Sequence, residues 1–196
     1  MKFLSHIPIV SNGIFIYDLN IKKDYSKYYR YLEYNKASTS SSMSDNMSVL
    51  SKMPEVKKEI ELSCNHFIKE VLSMDCSYHI YNSWFTLTKP GQDSDSHVHT
   101  NSWLSGVYYP QQNNGFNINF YNDFHNFYIT KIKDYGIYNS RYFNINPKKN
   151  QLILFFSNLR HQICKNESNE NRYSLAFNVL PKGDFGVGDS RVNFKF

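Results

Sequence analysis

The chain has 196 residues, 41% of them hydrophobic and 17% aromatic, with Tyr (16) and Phe (15) far outnumbering Trp (2). That is the size of one ordinary domain with a core of its own, and the aromatic excess favours β-structure over a helical bundle. The formal net charge of +5 is spread thinly, with no run of Lys and Arg, which argues against a nucleic-acid stripe or a phosphate-binding face.

Gly13 to Leu19 reads as a short strand, and Asp24 can cap a helix through Leu32 that carries Tyr25, Tyr28, Tyr29 and Leu32 on one side. Residues 37–48 are a polar, serine-rich run expected to be a mobile connector, or else a lid over a substrate. Pro54 and Glu55 suit the first turn of a helix. Its apolar stripe is Val56, Ile60, Cys64, Phe67, Ile68, Val71 and Leu72, which would back onto a sheet. From residue 77 the pattern becomes that of short aromatic and β-branched strands: 78–88, 102–109, 116–121, 127–132, 141–145, 151–156 and 173–180, separated by Gly, Asn, Pro and Asp. Two helices and then many short strands predict helices packed on an antiparallel barrel or jelly roll. The tail from Lys182, with its three glycines, is expected to pack on that barrel or at a dimer contact.

Cys64, Cys76 and Cys164 are odd in number and widely spaced, fitting neither a disulfide framework nor a zinc knuckle. The first eight residues lack the apolar stretch of a leader, and no segment has the length to span a bilayer. A soluble cytoplasmic protein is expected, in its own cell or in an infected host if the gene is a phage's. The sequon Asn166-Glu167-Ser168 carries no weight there.

His97 and His99 are one residue apart, so on an extended chain both rings face the same side and can hold one metal ion. His161 is a third candidate far downstream. An oxygen-using Fe(II) site needs three protein ligands on one face and open positions opposite, usually two histidines and a carboxylate. Here His97 and His161 take the histidine places and His99 stands where the acid would be, with Asp95 of the same parity as the alternative third ligand. Arg172, Ser174, Ala176 and Asn178 share a strand face. A buried arginine needs an anionic partner, and Arg172 with the Ser174 hydroxyl is what the far carboxylate of a dicarboxylate cosubstrate would require. Tyr109, of the same parity as Trp103, Ser105 and Val107, could add a third donor. The other histidines, together with Trp84 and Trp103, read as structural or surface residues.

Taken together, Asn82-Ser83-Trp84-Phe85, His97-Val98-His99, Ser102 to Tyr109, Leu154 to His161 and Arg172 to Asn178 resemble the 2-oxoglutarate and Fe(II)-dependent oxygenases. The nearest resemblance is to the group common in marine phages and bacteria with an H-x-H, then H, then R-x-S pattern. The Pro90-Gly91 turn and the Tyr108-Tyr109 strand are similar to prolyl hydroxylases. The resemblance covers roughly residues 77 to 180. It implies a double-stranded β-helix (jelly-roll, cupin-like) barrel; with the helices read above, a single domain that is mainly β with N-terminal helices is expected. Residues 1–76 would form a strand and supporting helices, 77–181 the core and 182–196 the tail. It implies iron at His97, His99 and His161, and 2-oxoglutarate with its far carboxylate at Arg172 and Ser174. It further implies O2-dependent decarboxylation to succinate coupled to hydroxylation of a C–H bond in a small-molecule or peptidyl substrate. The rivals are a three-histidine metalloenzyme of another class, such as a thiol dioxygenase, zinc hydrolase or isomerase, and a non-catalytic jelly-roll binding or virion protein. The Arg172-x-Ser174 pair argues against a zinc hydrolase, and the presence of all the metal and carboxylate positions argues against a non-catalytic protein.

Overall fold

The computed structural model describes residues 13–36, 40–112, 117–123, 132–137 and 139–195. The strands among them are β1 (Ile14–Asp18), β2 (Tyr34–Lys36), β3 (Ser42–Ser44), β4 (Ser77–Thr88), β5 (Leu104–Tyr108), β6 (Ile118–Tyr121), β7 (Tyr142–Ile145), β8 (Gln151–Phe156), β9 (His161–Ile163), β10 (Arg172–Phe185) and β11 (Val192–Phe194). The helices are α1 (Ser26–Arg30) and α2 (Pro54–His66). The protein is mainly β, and all named strand pairs are antiparallel. A large sheet runs β1-β8-β5-β10-β4-β3-β2, with β11 on the far end of β10, and a small sheet runs β7-β6-β9. The expected closed barrel is not found among the described residues. The strands form two separate sheets, joined where His97 bridges His161.

The period-2 pattern of the central strands decides what goes where. On β10, Tyr173, Leu175, Phe177 and Val179 belong to a core shared with Val56, Ile60, Cys64 and Phe67 of the helical segment. On β8, Leu152 and Leu154 join that core, while Ile153 and Phe155 turn the other way and meet Ile118 and Phe120 of the small sheet. Each fully buried side chain of this size contributes roughly 1.5–3 kcal/mol. The other face of β10, with Arg172, Ser174, Ala176 and Asn178, is left for the space between the sheets.

The helical stripe holds through Ile68 and then departs from expectation at Val71, which is 43% exposed. The reason is a π-helical turn over Phe67–Val71, closed by Leu72 N–H donating to Phe67 O at 2.9 Å. One extra residue in the turn rotates the chain beyond it, so Leu72 rather than Val71 packs on the core. Glu55 also has a different partner from the helix end foreseen: its carboxylate accepts from the main-chain N–H groups of Lys22 and Lys23, at 3.0 Å each.

The serine-rich run is not simply a connector. Residues 42–44 are a strand pairing with β4, and Ser41 and Ser44 are buried. Ser44 Oγ accepts from Phe85 N–H at 3.0 Å, so these hydroxyls occupy backbone partners at the sheet edge. Residues 37–39 and most of the expected strand 127–132 lie outside the described residues. In the tail, β11 pairs with Gly183–Phe185 of β10. No helix among the described residues is long and apolar enough to cross a membrane.

Gly106 of β5 lies between Leu154 and Phe177 in the pairing on either side. A Cβ there would fall 2.3 Å from Phe177 Cζ and 2.8 Å from Leu154 Cδ2. Both are core atoms, so Gly106→Ala is expected to destabilise the fold by about 1–3 kcal/mol through overpacking. A urea midpoint equal to that of the parent protein would contradict this packing.

Candidate active site

The loop between β4 and β5 carries His97 and His99, and β9 starts at His161. Main-chain hydrogen bonds lock the three together. His97 N–H donates to His161 O at 2.9 Å, His161 N–H returns the bond to His97 O at 3.0 Å, and His99 N–H donates to Ser157 O at 2.9 Å. Extended backbone at 97–99 then puts both rings on one side, facing the third. Ring centroids are 5.3 Å apart for His97 and His99, 4.4 Å for His97 and His161, and 5.1 Å for His99 and His161. One nitrogen from each ring lies within 4.8 Å of the others, the spacing of ligands around a single ion. Asp95 is not part of this cluster. It takes part through its main chain, its carbonyl facing His97 Nδ1 at 2.9 Å.

The Nδ1 atoms decide which nitrogen is free. His97 Nδ1 meets Asp95 O, His161 Nδ1 meets Leu159 O at 3.0 Å, and His99 Nδ1 meets Asn178 Oδ1 at 2.6 Å. Each partner is an acceptor, so each Nδ1 carries the proton and each Nε2 offers a lone pair, as a metal requires. Burial favours the neutral form of two of the rings, His99 and His161. His161 is pushed down to about 3, by desolvation first and then by His97, and His99 is lowered mainly by desolvation.

This has a measurable sign. A histidine with a depressed folded-state pKa binds fewer protons folded than unfolded between that value and about 6.5. Stability of the metal-free protein is therefore present above pH 6.5 and is lost as pH falls toward 3, at up to about 1.4 kcal/mol per pH unit for the one group. Urea midpoints between pH 7 and 5 should fall more steeply for the parent than for His161→Asn, and equal slopes would show that His161 titrates normally.

The register of β10 against β4 sets Arg172 opposite Thr88, Ser174 opposite Thr86, Ala176 opposite Trp84 and Asn178 opposite Asn82. Ser174, Ala176 and Asn178 of this row line a cleft of about 370 Å³, together with the three histidines, Trp84 and Tyr109. Arg172 is 1% exposed, and its guanidinium carbon lies 5.4 Å from the Tyr109 ring centroid. Burial lowers its pKa to about 9, with Tyr109 and Cys164 acting in the opposite sense. Tyr109 is pushed up to about 12 by burial against the pull of Arg172. The Tyr109 hydroxyl faces the Arg172 guanidinium, and the Thr88 hydroxyl is buried without a hydrogen bond. An orphaned Thr88 hydroxyl near a buried cation matches what a carboxylate would bring, since a buried donor left without a partner costs about 1–3 kcal/mol.

The structure thus gathers His97, His99 and His161 at one cluster, with Ser174 and Tyr109 lining the same cleft and Arg172 beside Tyr109. Trp84 also faces the cleft, its ring 6.0 Å from that of His99, whereas Trp103 packs in the helix-side core. Thr88 was missed by the reading of the sequence, although counting parity from Trp84 through Thr86 would have reached it. Ser105, which contacts both His99 Nδ1 and Asn178 Oδ1, and Ser157, which contacts Ser105, were missed because their role depends on strand pairing rather than spacing. Asn166 is fully buried, with its amide nitrogen donating to Thr88 O and Glu170 O, so the sequon closes a turn.

Fold and site together define a metal-binding protein of antiparallel sheets, with three imidazole ligands and a buried cation nearby. Residues 82–178, which contain every site residue named above, match the family described as "Putative 2OG-Fe(II) oxygenase". No curated protein gives a significant sequence match. Among solved structures, the chain resembles a prolyl hydroxylase from Trichoplax adhaerens in complex with a hypoxia-inducible-factor peptide fragment (10% identity, 86% of this chain and 84% of that one, TM-score 0.61). It also resembles a Pseudomonas putida prolyl-4-hydroxylase (12%, 86% and 92%, 0.56) and HygX from Streptomyces hygroscopicus with nickel and 2-oxoglutarate bound (8%, 87% and 83%, 0.59). At such identities these likenesses establish a shared fold. The family match points to Fe(II) and 2-oxoglutarate as the cofactors of the site, and the residues present fit both: three Nε2 donors for the ion, and Arg172 with the Tyr109, Ser174 and Thr88 hydroxyls for the dicarboxylate.

Proposed function

We propose that the protein is an Fe(II)- and 2-oxoglutarate-dependent oxygenase that hydroxylates a C–H bond while 2-oxoglutarate is decarboxylated to succinate. The observation that carries this reading is the pairing of a three-imidazole cluster with a buried arginine beside one cleft. His97, His99 and His161 would hold the ion, which supplies the oxygen chemistry when bound. Arg172, Ser174 and Tyr109 orient the far carboxylate, and Thr88 is placed to add a hydroxyl. The apolar walls formed by Val107, Ile118 and Ala176 exclude water from the reacting atoms. In this reading the two sheets are the halves of a double-stranded β-helix with 77–181 as its core. On this reading the chain is akin to the group common in marine phages and bacteria, and the protein works in the cytoplasm.

The substrate is a small molecule or a peptidyl residue, and 123–140 is the segment in which to look for its contacts. The test is to purify the protein without oxygen, measure bound metal, add Fe(II) and 2-oxoglutarate anaerobically, and then follow succinate on admitting air. A visible charge-transfer band and succinate release are expected. A folded protein that retains zinc and gives neither would point to a redox-silent metalloenzyme instead.

A further inference from the structure

His97 and His161 hand their Nδ1 protons to main-chain carbonyls, those of Asp95 and Leu159. His99, the ligand standing where a carboxylate is usual, does not. Its Nδ1 partner is a side chain, Asn178 Oδ1 at 2.6 Å. It is therefore the one imidazole of the three whose tautomer a substitution elsewhere can change.

Behind this contact is a chain of hydroxyls. Ser105 Oγ lies 2.8 Å from Asn178 Oδ1, 3.0 Å from His99 Nδ1 and 2.8 Å from Ser157 Oγ. Ser105, Ser157 and Asn178 are 0%, 1% and 6% exposed, so the group is buried behind the cleft wall. Strand pairing builds the group: Asn178 lies opposite Ser105 across β10 and β5. The register between β10 and β4 also slips at Asn178/Val179, a β-bulge of the kind that re-aims side chains near sites. Each hydroxyl has one proton. Ser157 donating to Ser105, and Ser105 to Asn178 Oδ1, leaves Oδ1 with a second acceptor position, and the group facing it at 2.6 Å is His99 Nδ1, which fills it as a protonated donor. The opposite arrangement, with the amide NH2 turned toward His99, would move the imidazole proton to Nε2 and close the ring to metal.

We propose that Asn178, backed by Ser105 and Ser157, is the positioning residue that fixes His99 as the Nδ1–H tautomer and so makes it a metal ligand. The group does this without adding charge. A carboxylate at position 178 would give the same hydrogen bond with a negative charge behind it, whereas Asn178 keeps the surroundings of His99 neutral. The proposal rests on the metal-site reading above, and its test separates the two.

Zn(II) and Co(II) affinities are measured by competition with a chromophoric chelator for the parent, Asn178→Ala and Asn178→Asp. Histidine ring nitrogens are followed by 15N NMR in the metal-free proteins. Loss of a hydrogen-bonding partner behind a ligand weakens metal binding by about 10–100-fold. That loss is expected for Asn178→Ala, with His99 becoming a mixture of tautomers while His97 and His161 stay unchanged. Asn178→Asp is expected to bind metal at least as tightly as the parent. Parent-like affinity in Asn178→Ala, or equal losses in the Ala and Asp variants, overturns the proposal. Should Asn178→Ala fail to fold, the metal-free parent decides alone: a proton on His99 Nε2 overturns it and one on Nδ1 upholds it. A parent protein that binds neither ion would instead overturn the metal-site reading itself.

Discussion

Arg172→Ala is expected to raise the Kd for 2-oxoglutarate about 100-fold or more, while metal affinity stays within a few-fold of the parent. At 1% exposure the guanidinium is out of reach of bulk water, so nothing replaces it once it is cut back, and the incoming carboxylate would be buried beside two neutral hydroxyls. Truncating one partner of a buried, hydrogen-bonded charge pair costs about 2–5 kcal/mol, which corresponds to roughly 30- to 5,000-fold in affinity. Arg172→Lys should recover only part of the loss, because an ammonium cannot make the two parallel bonds of the guanidinium fork. Calorimetry on Zn(II)-loaded protein reads both variants without turnover. An unchanged Kd for Arg172→Ala, with metal still bound, would remove that residue from the cosubstrate site.

His161→Ala is expected to be more damaging. Cutting a partner behind a ligand already costs about 10–100-fold in metal affinity, so loss of the ligand itself should exceed about 100-fold. His161 is 3% exposed and its ring packs against Phe155 and Phe120, at 4.7 Å and 5.9 Å between centroids. Truncation therefore also leaves a void, and His161→Gln is the control that keeps most of the volume. Equilibrium dialysis with Zn(II) on both variants checks the expectation; binding by both at parental strength would contradict it. At the third ligand the outcome should differ. His99→Asp places a carboxylate at the position an acid commonly takes, and is expected to keep metal bound and succinate release measurable.

Much of this was legible in the sequence where one strand sufficed. His97 and His99 declared themselves by alternation, and Arg172, Ser174 and Asn178 share a face for the same reason. Helix α2 was plain from its stripe until the π turn, a detail no apolar periodicity announces. What stayed hidden depended on partners far away in the chain. Thr88 gains meaning only once it is seen opposite Arg172, and Ser105 only once β5 lies against β10. The serine-rich run misled because hydroxyls that satisfy a sheet edge look, in composition, like those of a solvated connector.

The bridge between His97 and His161 has a consequence beyond chemistry. His161 opens the small sheet, whereas His99 is tethered to Asn178 of the large one. An ion held by both is a rivet through the two layers, and occupancy at 100 times the Kd adds about 2.7 kcal/mol to the stability of the folded chain. Chelation should then expose the cleft side of the small sheet to proteases before the helical side gives way. Iron scarcity would in that way shorten the life of the protein as well as idle it.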